Sequence, residues 1–521
     1  MNALVPAPAL DPTNRLFIDI VAKRQAAWQF FMQPADGFAP VAARQTAHER
    51  DRPTLSRLLC AYSERIGASA TTMASAAALA DPDVLCVVTG QQAGFLGGPC
   101  LTAYKILHAI RLAKALALTL KRPVVPVFWL ASEDHDLDEI RHLRLPAADG
   151  SLRTVSFDWD GRGAPIERMP ITTSITDAAT AALSGASAVV RSAFSPGRDD
   201  DYASWHARIW ARLFGDDGLV VAEPRIVRPL AGRTFEATCR LDRTLRPRLR
   251  ETAESLQGAG YTVPLDISTA ARLFELRPRE RRRIADPDAH ADRAASHPEL
   301  YSPDAALRPV VTDAVFPTVA NVLGPGELAY HVLLQPLYRL LGVPQPVPVP
   351  RHGYTVVGTA EGLLLDRLGL SAEQAVSPDL DMTGILHTQF DPTIDQRFDA
   401  VAAAVRTQLA ALRDPLAAVD RALEARQRQT ADRIATEIDR LRSRAHRADL
   451  GRRGISTSAA RRLAALLRPT GRLQERVLSL PFLLQRFAVH CLHALPAADP
   501  TAYAHTVVAL RDDDGGRRGT P

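Results

Sequence analysis

Five consecutive residues, Ser132-Glu133-Asp134-His135-Asp136, set three carboxylates and an imidazole side by side. Such a concentration of like charge is costly without a partner. It suits Mg²⁺ binding by hard oxygens, with Asp134 as the ligand, proton abstraction by His135 or Asp136, or hydrogen bonding of a polar substrate. In an extended segment neighbours alternate faces, so Asp134 and Asp136 share one face and Glu133 and His135 the other. The plainer alternative is a solvated loop in which one aspartate caps a helix.

A second candidate runs from Thr89 to Pro99, reading Thr-Gly-Gln-Gln-Ala-Gly-Phe-Leu-Gly-Gly-Pro. No Gly-Lys-Ser/Thr follows, so it is not a Walker A loop, and it does not have the GxGxxG dinucleotide spacing. The amides of Gln91 and Gln92, with the N–H groups at Gly97 and Gly98 ahead of a helix, suit an anion such as a phosphate. A tight strand-to-helix turn is the competing reading. Lys105 lies two turns into that helix, and lysine otherwise occurs only at Lys23, Lys114 and Lys121 among 63 basic residues. A flexible ammonium there suits a phosphate or carboxylate; a solvated surface lysine fits the pattern equally well.

The elements that position these groups follow from periodicity. Val84 to Thr89 is a short β-branched run, Pro99 fits the first turn of a helix reaching Leu120, and Val124 to Leu130 is a second apolar run. Strand, helix and strand at this length make a βαβ unit with parallel buried strands. Both strands then end at the same edge, where ligands bind in open α/β sheets. The predicted class is α/β: a parallel-sheet core with a C-terminal helical coiled coil.

Predicted boundaries follow from shifts in composition. Residues 1–149 hold a helical lead-in and the first half of the core, 150–204 a weakly periodic insertion and 205–224 a core segment. Residues 225–300 form a second insertion of helices and loops, whose Arg277, Arg279, Arg281, Arg282 and Arg283 read as a solvated face. The core returns over 301–385. From 386 to 450, Ile394, Phe398, Val401, Val405, Leu409 and Leu412, then Ile434, Ile438 and Leu441, make a seam of two long packed helices. Residues 451–510 return as helices packing on the core, and 511–521 read as a disordered tail.

Composition bounds the remainder. The 521 residues are 46% apolar and 23% charged, enough for about three structural units. The net charge of +5 is spread along the chain, so no nucleic-acid partner is expected. No run approaches the ~18 apolar residues of a membrane span and no signal peptide is visible, so a cytoplasmic protein with no membrane partner is expected. Five scattered cysteines without a CxxC pair argue against a disulfide framework or zinc ribbon, Cys100 being the one near the site helix.

Taken together, these motifs resemble the cysteine-adding enzyme family of bacillithiol biosynthesis. The resemblance rests on Thr89 to Gly94, Gly97-Gly98-Pro99 with Tyr104-Lys105, and Phe128 to Asp136. Further blocks follow in family order: Leu307-Arg308-Pro309 with Asp313, Gly324 to Glu327 with Tyr330, Pro350-Arg351, and Leu473 to Arg476. It covers about residues 15–490. It implies a Rossmann-type core interrupted by two connecting-peptide insertions, a dimerising coiled coil, and attachment of cysteine to glucosaminyl malate.

Departures from the family pattern stand at Asp304-Ala305-Ala306, Val310-Val311-Thr312 and His331-Val332-Leu333. Because a carboxylate must be activated before an amine can displace its oxygen, an ATP- and Mg²⁺-dependent ligase is expected. Lys105 would stabilise charge, and Gln91, Gln92, Gly97 and Gly98 would hold nucleotide. Ser132, Glu133, Arg308, Glu327, Tyr330 and Arg351 would hold substrate, with Arg308 and Arg351 as carboxylate clamps. A related ligase or transferase on another amino sugar or amino acid, and a non-catalytic dimeric nucleotide-binding scaffold, are the alternatives.

Overall fold

Five β-branched segments form the central sheet of the computed structural model, which describes residues 2–147, 149–161, 163–265 and 272–513. They are β1 (Leu85–Gln92), β2 (Val124–Ala131), β3 (Val220–Ala222), β4 (Thr318–Leu323) and β5 (Val347–Pro350). Their order in space is β3-β2-β1-β4-β5, and each neighbouring pair is parallel. The register sets Gly90 beside Trp129, Gln92 beside Ala131 and Asn321 beside Val88. Both faces are covered, so the strands are apolar along their length rather than alternating. The chain winds one way from β1 to β3 and the other way to β5, which makes the gap between β1 and β4 the switch point.

Helix α1 (Leu101–Leu120) carries the chain from β1 to β2, burying Tyr104, Ile106, Leu107 and Ile110. It starts two residues later than its sequence suggests, because Pro99 is engaged in a bridge with Ser479. Two further helices flank the switch point: α2 (Leu307–Val315) and α3 (Pro325–His331). The N-terminal strand Asn2–Val5 pairs antiparallel with His505–Leu510, which pairs parallel with Gly353–Gly358. That second small sheet was not legible in the Pro-rich start of the chain.

The insertions differ from expectation in content. A hairpin of His142–Pro146 and Leu152–Ser156 spans the predicted boundary at 149/150. Residues 225–300, read as helices and loops, also contain strands Leu273–Arg277 and Glu280–Arg283, joined in one antiparallel sheet to Tyr301–Pro303. The arginine run is therefore a hairpin, not a solvated face throughout: Arg281 is only 8% exposed.

Helices α4 (Pro392–Ala411) and α5 (Ala422–Arg452) form the predicted pair. Gln427 bonds the Leu409 carbonyl, Arg442 reaches Asp399 and His446 reaches Asp395, a descending register that makes the pair an antiparallel hairpin. The short helix Arg413–Val419 fills the connection after the Asp414-Pro415 break. Of the tail expected from 511 onward, residues 514–521 lie outside the described residues.

Candidate active site

A cleft of about 800 Å³ opens at the carboxyl ends of β1, β2 and β4, at the switch point. Gly90, Gln91 and Gln92 line it from β1, Trp129 and Ala131 from β2, and Asn321 and Leu323 from β4. Asp134, His135, Asp136, Arg308, Glu327, Tyr330 and Arg351 complete the walls with Lys105 of α1. The volume falls within the range of small-molecule sites.

Lys105 enters from the protein interior, its side chain 1% exposed. Its Nζ donates to both Glu327 oxygens at 2.7 Å, to Gln91 Oε1 at 3.3 Å and to the Gly90 carbonyl. Burial pulls the ammonium's pKa down, opposed by the Glu327 carboxylate. Glu327 in turn accepts from the Gly324 amide at 2.7 Å, closing the start of α3. The lysine thus fastens β1 to α3 beneath the cleft floor, which rules out the solvated surface reading.

The acidic run is divided by its partners. Glu133 is fully buried and pairs with Arg308 Nε at 2.5 Å. Asp134 faces Arg308 Nη2 and Arg281 Nη1, each at 3.4 Å. Burial alone raises the Asp134 pKa; the Arg308 and Arg281 guanidiniums outweigh it and hold the carboxyl below its ordinary range. For Arg308 burial is likewise outweighed, by Glu133 and Asp134, and its pKa is raised. His135 remains at the cleft surface, 44% exposed, with Nδ1 3.4 Å from Asp134 Oδ1.

Several expectations are corrected. Ser132 is buried, donates to Glu223 Oε2 at 3.0 Å and does not line the cleft, nor does Glu133. Asp136 caps the short helix Leu137–Ile140, accepting from the amides of Asp138 at 3.1 Å and Glu139 at 3.3 Å. That is the helix-capping alternative, and it occupies Oδ1 of Asp136. A Mg²⁺ at Asp134 would compete with the two guanidiniums that bracket it. Among the described residues no metal-binding cluster gathers around it.

Gly97 and Gly98 do not reach the cleft either. Gly97 has φ +84° and sits where a Cβ would lie 2.8 Å from Leu480 Cδ2. The Gly98 amide is spent on the Phe95 carbonyl at 3.0 Å, and its own carbonyl accepts from Leu480. These glycines allow close packing against the C-terminal segment rather than phosphate contact. Gln91 and Gln92 do line the cleft, Gln91 bound to Lys105 and Gln92 to Glu139. Arg351 lines it too but is held by buried Glu475.

Three contributors were missed. Arg281 reaches in from the insertion hairpin, also bonding Ser302 Oγ at 2.9 Å. Arg476 lines the cleft and makes no ion pair among the described residues, so its guanidinium is available to an anion. Asp313, buried on α2, accepts from Tyr338 at 2.5 Å and from Asn321 at 3.0 Å. Burial pushes its pKa up to about 7, the hydrogen bonds from Tyr338, Thr318 and Asn321 acting against that rise. Arg476 and Asp313 carried a signal in the blocks quoted above; Arg281 carried none beyond its charge.

Family models agree with this architecture. Residues 7–352 match the model described as "Bacillithiol biosynthesis BshC, N-terminal Rossmann-like domain" and residues 355–510 its "C-terminal coiled-coil domain". The chain is 31% identical to a Koribacter versatilis protein over 97% of this chain and 99% of that one. It is 31% identical to one from Geobacillus thermodenitrificans (88% and 91% covered) and 29% to one from Salinibacter ruber (97% and 98%). All three bear the name "Putative cysteine ligase BshC". With both of its domains matched and its sheet order, switch-point cleft and helical hairpin in place, the chain belongs to the BshC family of bacillithiol biosynthesis.

Proposed function

We propose that this chain is a ligase that joins the carboxylate of cysteine to the amine of glucosaminyl malate, forming an amide at the expense of ATP. The observation that supports it best is the cleft itself, where one exposed imidazole stands among the cations Lys105, Arg308 and Arg476. Both the malate portion and a nucleotide are anionic, and cations held in a partly dry cleft favour such ligands more than the same groups in water.

In this reading the cysteine carboxylate attacks a phosphorus of ATP. It becomes an acyl-adenylate with release of pyrophosphate, or an acyl-phosphate with release of ADP. The amine nitrogen then adds to the activated carbonyl, the phosphate-bearing group leaves with the C–O electron pair, and the nitrogen loses a proton. His135 takes that proton: its ring is exposed in the cleft, with Nδ1 3.4 Å from Asp134 Oδ1 and 3.5 Å from Arg281 Nη1. Arg308 is positioned by Glu133 and Asp134, and Arg476 binds the malate carboxylate or a phosphate. Lys105 holds the Gln91 wall in place and adds positive potential from below. No step is assigned to Mg²⁺.

The same reading makes the protein a homodimer. Along the hairpin Val401 is 53% exposed, Leu412 49%, Val419 79% and Leu441 59%, an apolar load that a second copy's hairpin would cover. Size-exclusion chromatography with light scattering tests this, since a monomer at micromolar concentration would refute it.

The direct test is incubation of purified protein with cysteine, glucosaminyl malate, ATP and Mg²⁺, omitting one component at a time, with products followed by mass spectrometry. The expected result is the cysteinyl adduct only in the complete mixture, with AMP or ADP formed in step. Adduct formation at the same rate without ATP would overturn the activation route. No adduct from folded, nucleotide-binding protein would overturn the substrate.

A further inference from the structure

At the root of the helical hairpin, away from the cleft, His387, Asp395 and His446 converge from three helices: Met382–Thr388, α4 and α5. One ligand atom from each lies within 4.8 Å of the others. His446 Nε2 is 3.4 Å from Asp395 Oδ1, and His387 Nδ1 is 4.0 Å from Asp395 Oδ2. Ligand atoms around a tetrahedral ion with bonds of about 2.0–2.1 Å stand roughly 3.3 Å apart, so a small closure completes the set. The His446 ring is already fixed by Phe390, its centroid 3.7 Å away, and Phe390 is buried.

We propose that His387, Asp395 and His446 form a site for a borderline divalent transition ion of the Zn²⁺ class, which clips the root of the hairpin to the body of the protein. Two imidazoles and one carboxylate are the donor set that such ions prefer over Mg²⁺ or Ca²⁺, and the half-exposed position leaves a fourth place for water. The helix carrying His387 is anchored in the main core through Met382, Ile385 and Leu386. A metal there therefore ties that core to α4 and α5, and so fixes the direction in which the hairpin leaves it. Arg442 Nε is 3.6 Å from Asp395 and is the competing cation, yet its guanidinium also pairs with Asp399. It keeps that partner when Asp395 turns to the metal.

The test is titration of chelator-treated full-length protein with Zn²⁺ by calorimetry, with Co²⁺ absorption as a report on coordination. One Zn²⁺ per chain is expected, with affinity lowered about tenfold or more in His387→Ala and in Asp395→Asn. His387 is 57% exposed, so its variant tests the site without disturbing the core. Arg442→Gln should bind several-fold tighter, and Co²⁺ should show a tetrahedral visible band that His387→Ala lacks. Equal affinity in wild type and both ligand variants would overturn the proposal, as would absence of binding at micromolar Zn²⁺. The ligase reading is measured separately and stands or falls on its own assay.

Discussion

Lys105 Nζ lies 2.7 Å from both carboxylate oxygens of Glu327, joining α1 to the first turn of α3 across 222 positions of the chain. Replacing Lys105 with Met leaves Glu327 in a partly dry wall without its hydrogen-bonded cation, with only Arg351 and Arg476 acting on it electrostatically. The expected cost is about 2 kcal/mol, below the ~3–5 kcal/mol of a fully buried pair because the Glu327 side chain keeps 26% exposure. The double variant Lys105→Met with Glu327→Gln should recover most of that loss in urea unfolding yet remain without ligase activity. Recovery of activity along with stability would reduce the lysine to a structural tie.

His135 and Asp136 should separate cleanly. His135→Ala is expected to lower kcat by about 10²- to 10⁴-fold with an unchanged melting temperature, since the ring is 44% exposed and its loss opens no cavity. Asp136→Ala should instead cost about 1 kcal/mol of stability through the lost cap, with a small effect on kcat. Asp136→Asn, which still accepts from the Asp138 and Glu139 amides, should be near wild type in both measurements.

Arg476 is the cation of the cleft without an acidic partner among the described residues. Arg476→Gln is expected to raise KM for the anionic substrate about tenfold, roughly the loss of one charge-assisted hydrogen bond, while thermal stability stays the same. Steady-state kinetics at low and high salt check this: the wild-type KM should rise with salt more steeply than that of the variant.

Asp313 makes stability depend on pH. Its folded pKa of about 7 lies above that of an ordinary carboxyl, so the fold favours the protonated form. The stabilisation it contributes is complete below about pH 4 and is lost as pH rises through about 7, by at most about 4 kcal/mol. Asp313→Asn keeps an acceptor for Tyr338 and Asn321 and removes the titration. Denaturation midpoints across this window should therefore fall less in the variant than in wild type. Parallel curves would show that Asp313 is ionised in the fold throughout.

What was legible in the sequence was local. The β-branched runs at Val84 and Val124, the helix between them and the acidic run at the end of β2 were enough to place a βαβ unit and its ligand edge. A right-handed crossover between parallel strands leaves the chain few other routes. The heptad spacing from Ile394 onward likewise announced the hairpin, because a 3.5-residue apolar repeat needs a partner helix.

Tertiary structure decided what each group at that edge does. Whether Glu133, Asp134 or Asp136 is free depends on Arg308, on Arg281 and on a helix that begins one residue after Asp136. Gly97 became a packing residue only because Leu480 arrives from the far end of the chain. Charge pairing and close packing are set by distance in space, and spacing along the chain carries that information only within a helix turn or between adjacent strands. The sequence by itself therefore determined the scaffold and the edge at which chemistry can occur. The assignment of Lys105 to Glu327, and the exposure of His135 and Arg476 to a ligand, came from the folded chain alone.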